Sequence, residues 1–457
     1  MPYIPNNAED QRAMLQAIGA SSLEDLLAMV PPELRLDREL ALPPALGELE
    51  LSTHMAELAA RNTAAGQRVC FLGGGSYDHF IPAVVDFVAA RSEFYTCYTP
   101  YQAEASQGTL QAIFEYQTLI TRLTGMDVSN ASVYDGATAA AEAVLMATSA
   151  TDRPRVVTAA SVHPEYRQVL ATYLRNLAAE LVTVGAPGGA VAPQQLAASV
   201  DDRTACVLIQ HPNFFGCLEE VKLLGEIARR AGAVFVVAVD PISLGLLARP
   251  SEYGADIVVA EGQSLGSPMA FGGPYLGILA CREPFLRRMP GRLVGQTVDR
   301  ERRRCWVLTL QAREQHIRRE KATSNICTNQ GLLALRAAVY LAAMGPEGLR
   351  SAAHLCLQKA HYALDRLKSL PGFAAAFDRP TFKEFVVRVA DGQVERRLDK
   401  ALAEGIFAGI PLARWYPELA DGLLVAVTEK RTQAEIDRLA AALSTRDRET
   451  ARRSSRR

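Results

Sequence analysis

The sequence predicts an α/β fold built on a mostly parallel sheet, with a smaller C-terminal α/β domain and an N-terminal helical arm. Between about residues 128 and 281, short apolar segments alternate with amphipathic segments, a pattern typical of strands joined by crossover helices. Some apolar segments are continuous β-branched runs, such as Val234–Val239, which indicates strands covered on both faces. The 457 residues, 49% hydrophobic and 22% charged, are enough for two or three structural units.

The predicted arm covers residues 1–65. A capping box, in which a hydroxyl and a carboxylate three residues apart bind free backbone amides, is predicted at Ser21 to Glu24. Leu23, Leu26 and Leu27 follow at helical spacing. We therefore expect the arm to be helical.

The large α/β domain is predicted over residues 66–320. Its predicted strands are 128–134, 155–160, 181–185, 204–210, 234–240, 256–260 and 276–281. Its predicted helices include 137–150, 164–179 and 219–231. Strands separated by helices in this way form parallel sheets.

The smaller C-terminal α/β domain is predicted over residues 321–443. The expected helices are 331–344, 354–370 and one that follows a second capping box at Thr432 to Glu435, and the expected strands are 385–389 and 423–427. Residues 444–457 include six arginines and are predicted to be a disordered, solvated tail. A binding arm for anions or nucleic acid is the alternative.

Composition argues against several classes of protein. The 49 Lys and Arg residues nearly balance the 50 Asp and Glu residues, which disfavours nucleic-acid binding. No run of about 18 apolar residues predicts a membrane span, and the N-terminus lacks a signal-peptide layout. The eight cysteines form no C-x-x-C pair, so we expect reduced thiols, no metal site and a cytoplasmic location.

Three polar positions follow predicted strands, where ligands bind in open parallel sheets. The turn at residues 135–138, which ends in Thr138, is either a phosphate site at a helix N-terminus or a plain tight turn. Asp240 is either the partner of a protonated heterocyclic nitrogen or the cap of a turn. His163 either stacks on a planar cofactor or caps the helix that follows it.

In this order, the turn, the histidine and the aspartate resemble the site of a pyridoxal phosphate enzyme of the aspartate aminotransferase type. Such an enzyme needs a Schiff-base lysine a few tens of residues beyond the aspartate. The chain has seven lysines: Lys222, Lys321, Lys359, Lys368, Lys383, Lys400 and Lys430. The expected window is empty, and arginine cannot replace the lysine because its guanidinium stays protonated.

Several long motifs resolve this contradiction. They are residues 71–82 (FLGGGSYDHFIP), 98–111 (YTPYQAEASQGTLQ), 114–118 (FEYQT), 134–138 (YDGAT), 263–266 (QSLG) and 319–330 (REKATSNICTNQ). With these motifs the sequence, from about residue 1 to 443, closely resembles the first subunit of the two-subunit glycine cleavage system P-protein family, the glycine decarboxylases.

The resemblance implies an aminotransferase-type fold, pyridoxal phosphate fold type I, and a heterodimer or heterotetramer with a homologous second subunit. The second subunit would carry pyridoxal phosphate and its lysine, with no cofactor covalently on this chain. By similarity to the lysine segment of that subunit, Gln263 falls where the lysine would be. The complex would decarboxylate glycine and pass the aminomethyl group to the lipoyl arm of H-protein.

The resemblance also implies an active site at the subunit interface. Tyr98, Tyr101, Gln102 and Glu104 are the candidates for this chain's contribution, or else their loop only packs the heterodimer. Thr138, His163 and Asp240 are candidate remnants of a lost cofactor site, or else they retain a binding role.

Two other functions stay open at this point. One is a purely structural scaffold that stabilises the second subunit and docks H-protein. The other is an independent pyridoxal phosphate transaminase or decarboxylase that uses Lys222 or Lys321, although neither lysine has the expected placement relative to Asp240.

Overall fold

The computed structural model describes residues 6–444, so the predicted tail, apart from Ser444, lies outside the described residues. Residues up to Asn62 form one compact unit, and residues from Thr63 onward form another. The helices are α1 (Ala8–Ala17), α2 (Leu23–Leu26), α3 (Glu48–Ala59), α4 (Ala83–Ala89), α5 (Ser92–Tyr95), α6 (Gln107–Thr124), α7 (Gly136–Thr151), α8 (Pro164–Leu174), α9 (Pro193–Ser199), α10 (Val221–Arg230), α11 (Gln315–Arg318), α12 (Gly331–Lys368), α13 (Val394–Ala403) and α14 (Gln433–Leu443). The strands are β1 (Val69–Cys70), β2 (Val128–Ser129), β3 (Arg155–Ala159), β4 (Glu180–Val184), β5 (Thr204–His211), β6 (Val234–Val239), β7 (Ile257–Glu261), β8 (Gly277–Cys281), β9 (Leu293–Val298), β10 (Arg304–Thr309), β11 (Phe373–Ala375), β12 (Glu384–Val389), β13 (Ile406–Phe407), β14 (Ile410–Pro411) and β15 (Gly422–Ala426).

The N-terminal unit is helical, as its sequence pattern predicts. Its capping box lies one residue later than predicted, because Ser22 caps α2 and Asp25 supplies the carboxylate. Asp25 also binds Ser21, whose backbone amide lies 2.8 Å from the carboxylate, so one acid serves both serines.

The large sheet has the strand order β2-β8-β7-β6-β5-β3-β4. Strands β3 to β7 pair in parallel, and β8 is antiparallel to its neighbours. The core strands β5, β6 and β7 are buried on both faces, which explains their continuous apolar runs. The prediction of an α/β fold with a mostly parallel sheet is confirmed.

The first predicted strand is much shorter than expected. Residues 128–134 form only the two-residue β2 and an isolated bridge at Val133. Ser132 has a positive φ of 123°, and the Asn130 side chain accepts a hydrogen bond from its amide. This local bonding competes with the sheet ladder and interrupts the strand. The hairpin of β9 and β10 was not among the predicted strands.

The C-terminal region contains a second sheet with the order β11-β12-β15-β14, in which the strands pair antiparallel. Its core includes Phe385, Val387, Leu423 and Val425. The capping box before α14 is confirmed, with Thr432 and Glu435 bonded reciprocally. The residue limits of the predicted large and small domains stay a prediction.

Two predicted helices form the single helix α12, which has a kink. Gly345 takes φ 60° and ψ −178° there and precedes Pro346, which explains why the sequence predicts two helices. By length and mean hydropathy alone α12 is apolar enough to cross a membrane. Buried residues such as Ala337 and Leu341 on one side of the kink and Ala363 and Leu367 on the other pack into two cores.

Candidate functional site

The carboxyl ends of the parallel strands meet at one edge of the large sheet, and Asp240 lies there directly after β6. Its Oδ1 accepts the Ile242 amide at 3.1 Å, and its Oδ2 lies 2.7 Å from Nζ of Lys383. Lys383 precedes β12 of the second sheet and is 1% exposed. The two sheets therefore meet in a buried ion pair.

The Lys383 ammonium has two further neighbours. Its Nζ donates to Nε2 of His79 at 3.0 Å and lies 3.4 Å from the centre of the Tyr77 ring. Nδ1 of His79 then donates to Glu429 at 2.6 Å. A buried ammonium is tolerated only when it is paired and hydrogen bonded, and these contacts meet that condition.

Glu384, the residue after Lys383, closes the same pocket from the side. Its Oε1 accepts the Gly74 amide at 2.7 Å, and its Oε2 accepts the hydroxyl of Tyr77 at 2.8 Å. Burial raises the pKa of Glu384 to about 7. The glycine-rich turn is needed here, because a Cβ at Gly73 would lie 2.3 Å from Oε1 of Glu384.

The turn that opens α7 is satisfied by carboxylates of this chain. Asp135 accepts the amide of Thr138 at 2.8 Å and its hydroxyl at 3.0 Å. Glu261, at the end of β7, accepts the amide of Gly136 at 3.0 Å. Its other oxygen accepts the amides of Gln263 and Leu276, each at 3.0 Å, and burial raises the pKa of Glu261 to about 7.

Gln263 is buried beside this turn and is fully hydrogen bonded. Its Oε1 accepts the Tyr77 amide at 2.9 Å. Its Nε2 donates to the Tyr77 carbonyl at 3.1 Å and to the Ser267 carbonyl at 2.7 Å. An amide side chain supplies both donors and acceptor here, which an ammonium could not do.

His163 caps α8, because its Nδ1 accepts the Glu165 amide at 3.1 Å. Its Nε2 therefore carries the proton and donates to the Gly74 carbonyl at 2.7 Å. Burial lowers the pKa of His163. The ring stacks on Tyr166, with 4.9 Å between ring centres, so its own chain occupies that ring face.

These residues do not fit pyridoxal phosphate. The space left between Tyr77, His163, Asp240, Glu261 and Lys383 is about 30 Å³, room for a water molecule or two. The strand-end carboxylate is paired with a lysine, the first amide of α7 is bonded to a glutamate, and neutral Gln263 cannot bind the cofactor covalently. The pocket is filled by side chains of this chain.

The tyrosine loop, residues 98–104, lies at a different cleft. A cavity of about 310 Å³ is lined by Tyr98, with Arg292 and the start of α12 on its wall, and it shares no lining residue with the pocket at Asp240. Tyr98 is 91% exposed and Tyr101 52% exposed, and Gln102 and Glu104 are exposed as well.

The buried Arg292 contacts this loop through Tyr101. It is 4% exposed, and its guanidinium donates to Asn329 at 2.8 Å and to the Tyr101 hydroxyl at 3.4 Å. The guanidinium also lies 5.5 Å from the centre of the Tyr101 ring. It therefore fixes Tyr101 in place, whereas Tyr98 projects freely.

The structure thus divides the predicted site residues into two groups. Asp240 and His163 line one pocket, and Gln263 bonds to Tyr77 and Glu261 in its wall. Thr138 bonds to Asp135 and does not line this pocket. The tyrosine loop belongs to the other cleft. Sequence reasoning missed Lys383 and Glu261, because a lysine before a distant strand and a glutamate at a strand end have no motif that marks them.

His79, Cys356 and Glu429 lie close enough to share a metal ion, with ligand atoms within 4.8 Å of one another. They are also bonded to each other and to Lys383: Sγ of Cys356 lies 3.4 Å from Glu429, and Nε2 of His79 faces the ammonium. Hydrogen bonding explains this cluster, so we assign no metal to it.

The chain matches one protein family over nearly its whole length. Residues 1–443 match the family model described as glycine cleavage system P-protein. The chain is 54% identical to a probable glycine dehydrogenase (decarboxylating) subunit 1 of Carboxydothermus hydrogenoformans and 52% identical to that of Desulforamulus reducens. Each alignment covers 97% of this chain and 99% of the relative.

Solved structures agree with this match. The chain resembles a crystal structure of glycine decarboxylase (P-protein) of the glycine cleavage system, in inhibitor-bound form, with a TM-score of 0.90 and 46% identity over 97% of this chain and 99% of the other. It also resembles an alanine–glyoxylate aminotransferase from Nostoc sp., with a TM-score of 0.58 and 18% identity over 82% and 94% of the two chains. The fold is therefore the aminotransferase type, pyridoxal phosphate fold type I.

Proposed function

The chain belongs to the glycine cleavage system P-protein family, and we propose that it is the subunit of a two-subunit glycine decarboxylase that binds no cofactor itself. It is a subunit of glycine dehydrogenase (decarboxylating), since its relatives of about 50% identity bear the name subunit 1 over nearly their full length. The observation that carries the proposal is the filled pocket at Asp240.

In the proposed complex, the second subunit holds pyridoxal phosphate, which supplies the electron sink for loss of carbon dioxide from glycine. The two subunits form a heterodimer, or a pair of heterodimers, in the cytoplasm, and the lipoyl arm of H-protein receives the aminomethyl group. This chain contributes the shape and polarity of the tyrosine loop at the subunit interface.

The lysines of this chain support that assignment. Lys222 on α10 and Lys321 are both exposed, and neither lines the pocket at Asp240, so both fit poorly as cofactor lysines. Lys383 does line it, but its amine is bonded to Asp240, the carboxylate that a cofactor ring nitrogen would need. The hypothesis that this chain is an independent pyridoxal phosphate enzyme therefore has no support among the described residues.

A labelling experiment tests where the cofactor is held. This chain, alone and co-purified with the second subunit, is mixed with pyridoxal phosphate, reduced with borohydride and digested, and pyridoxyl-lysine is located by mass spectrometry. We expect the label and the visible absorption band only in the mixed sample and only on the second subunit.

The control is Lys383→Met, which removes the one pocket lysine, with Lys222→Met as its matched surface variant. Neither change should alter labelling of the complex. A pyridoxyl group on any lysine of this chain at stoichiometric yield would refute the proposal.

A further inference from the structure

Two charged groups of this chain lie at the two positions that a pyridoxal phosphate site must satisfy. Such sites hold the protonated ring nitrogen with a carboxylate at a strand end and the phosphate with the amides of a helix N-terminus. Here the strand-end carboxylate of Asp240 holds the Lys383 ammonium, and the first amide of α7 binds the Glu261 carboxylate. When Glu261 is ionised, above about pH 7, the charge at each end has the sign that the cofactor would bring.

The cationic end is tightly enclosed. Lys383 is buried, its Nζ has Asp240 at 2.7 Å and His79 at 3.0 Å, and the Tyr77 ring covers it at 3.4 Å. Removing either member of a buried ion pair leaves the other charge without compensation. Asp240 and Lys383 therefore depend on each other for stability, as a carboxylate and a bound pyridinium would.

The anionic end is equally complete. Glu261 accepts three backbone amides, from Gly136, Gln263 and Leu276, and one of these belongs to the helix N-terminus, which favours negative charge. Tyr166 packs against the same turn, because a Cβ at Gly136 would lie 1.9 Å from its hydroxyl. No external phosphate reaches this amide while Glu261 holds it.

We infer that Lys383 and Glu261 are intramolecular replacements for the two charged ends of the cofactor, and that they let this subunit fold with its pocket filled and without any bound group. The inference rests on the proposed function, in which the cofactor belongs to the second subunit. It goes further by assigning the positions of the lost cofactor to two named side chains.

A double-mutant cycle tests the cationic end in the purified complex. We expect Lys383→Met and Asp240→Asn each to lower the melting temperature of this subunit by about 5 °C. The double variant should recover most of that loss, because it leaves no unpaired charge. Additive losses in the double variant would overturn the inference.

Chemical rescue supplies a second readout that a merely packed side chain would not give. Lys383→Ala opens a cavity beside Asp240, and n-propylammonium has the length of the deleted atoms. We expect the amine to raise the melting temperature of this variant, compared with sodium at equal ionic strength, and to leave the exposed-site control Lys222→Ala unchanged. An equal response of both variants would overturn the inference.

The anionic end is tested with inorganic phosphate. Glu261→Ala frees the Gly136 amide, so phosphate should stabilise this variant more than chloride does, while the wild type and the surface control Glu226→Ala should respond alike. No phosphate response in Glu261→Ala would overturn the assignment of Glu261.

The proposed function and the inference about Lys383 and Glu261 can be refuted separately. If the cofactor label lies on the second subunit but the Lys383–Asp240 pair shows no coupling, the inference alone is wrong. If the pair is coupled but the two-subunit complex releases no carbon dioxide from glycine with lipoylated H-protein, the proposed function alone is wrong.

Discussion

At the residue scale, single buried charges determine the chemistry of the pocket at Asp240. Lys383 is 1% exposed and pairs with Asp240, although sequence reasoning identified only the aspartate. A strand-end aspartate has a recognisable position, but the group that faces it comes from another sheet. The position of Asp240 at a strand end was therefore predictable from the sequence, whereas its pairing with Lys383 was not.

Glu142 shows how burial alone sets a residue's chemistry. It lies in α7 and is buried, and burial raises its pKa to about 7. Between about pH 4.5, where this carboxyl titrates in the unfolded chain, and pH 7, the folded protein holds a proton that the unfolded chain releases. Wild-type stability is thus reduced as the pH rises through this window.

Glu142→Gln should remove this pH dependence. Relative to wild type, the variant should gain stability from pH 4.5 to pH 7, reaching a difference of about 3 kcal/mol at pH 8. Urea unfolding at pH 5 and pH 8 measures it, with the exposed Glu226→Gln on α10 as the control. A constant difference between variant and wild type at both pH values would contradict the expected titration.

At the scale of elements, most of the strands that periodicity predicted lie within a residue or two of the observed ones, whereas the predicted helix 164–179 ends earlier, at Leu174. Strand β6 and the capping box before α14 lie where the pattern predicts them. The failures are local: the Asn130 side chain interrupts the strand at β2, and Ser22 rather than Ser21 caps α2. Side-chain bonds to nearby backbone decide such details.

The kink in α12 is the clearest case of a backbone requirement. Gly345 has φ 60° and ψ −178°, a region that is nearly restricted to glycine. Gly345→Ala should destabilise the protein by about 1–3 kcal/mol, even though no atom lies within 4 Å of the added Cβ. The cost is conformational rather than steric.

Thermal unfolding of Gly345→Ala beside Gly331→Ala tests this. Gly331 begins the same helix, and its added Cβ would have only Asn329 nearby, at 3.9 Å, so its variant should be neutral or slightly stabilised. Equal stabilities of the two variants would show that α12 tolerates an L-residue at the kink.

At the scale of the whole molecule, the predicted site residues lie in two separate clefts. The pocket at Asp240 is filled, while the tyrosine loop is exposed beside a cavity of about 310 Å³. A pocket filled by its own side chains and an exposed aromatic loop suit a subunit that acts through a partner. Two conservative variants test the proposed role of this loop at the subunit interface.

Tyr98→Phe and Tyr101→Phe, tested in the two-subunit complex, separate the two readings. If the loop completes the active site, the rate of glycine-dependent carbon dioxide release should fall on the order of 10–100-fold, with the complex intact in sedimentation. Leu402→Ala, an exposed apolar side chain on α13, is the control and should leave both readouts unchanged. Loss of assembly, or no loss of rate, would favour the scaffold reading.

The fold class, the family, most strands of the large sheet and the absence of a lysine from the expected window were predictable from the chain alone, because periodicity, turn residues and long motifs are local properties. That Lys383 meets Asp240 and that Glu261 binds the amide of Gly136 follows only from the folded structure. These contacts join residues more than a hundred positions apart, and their energies depend on burial. Burial exists only once the two sheets and the helix N-terminus have come together.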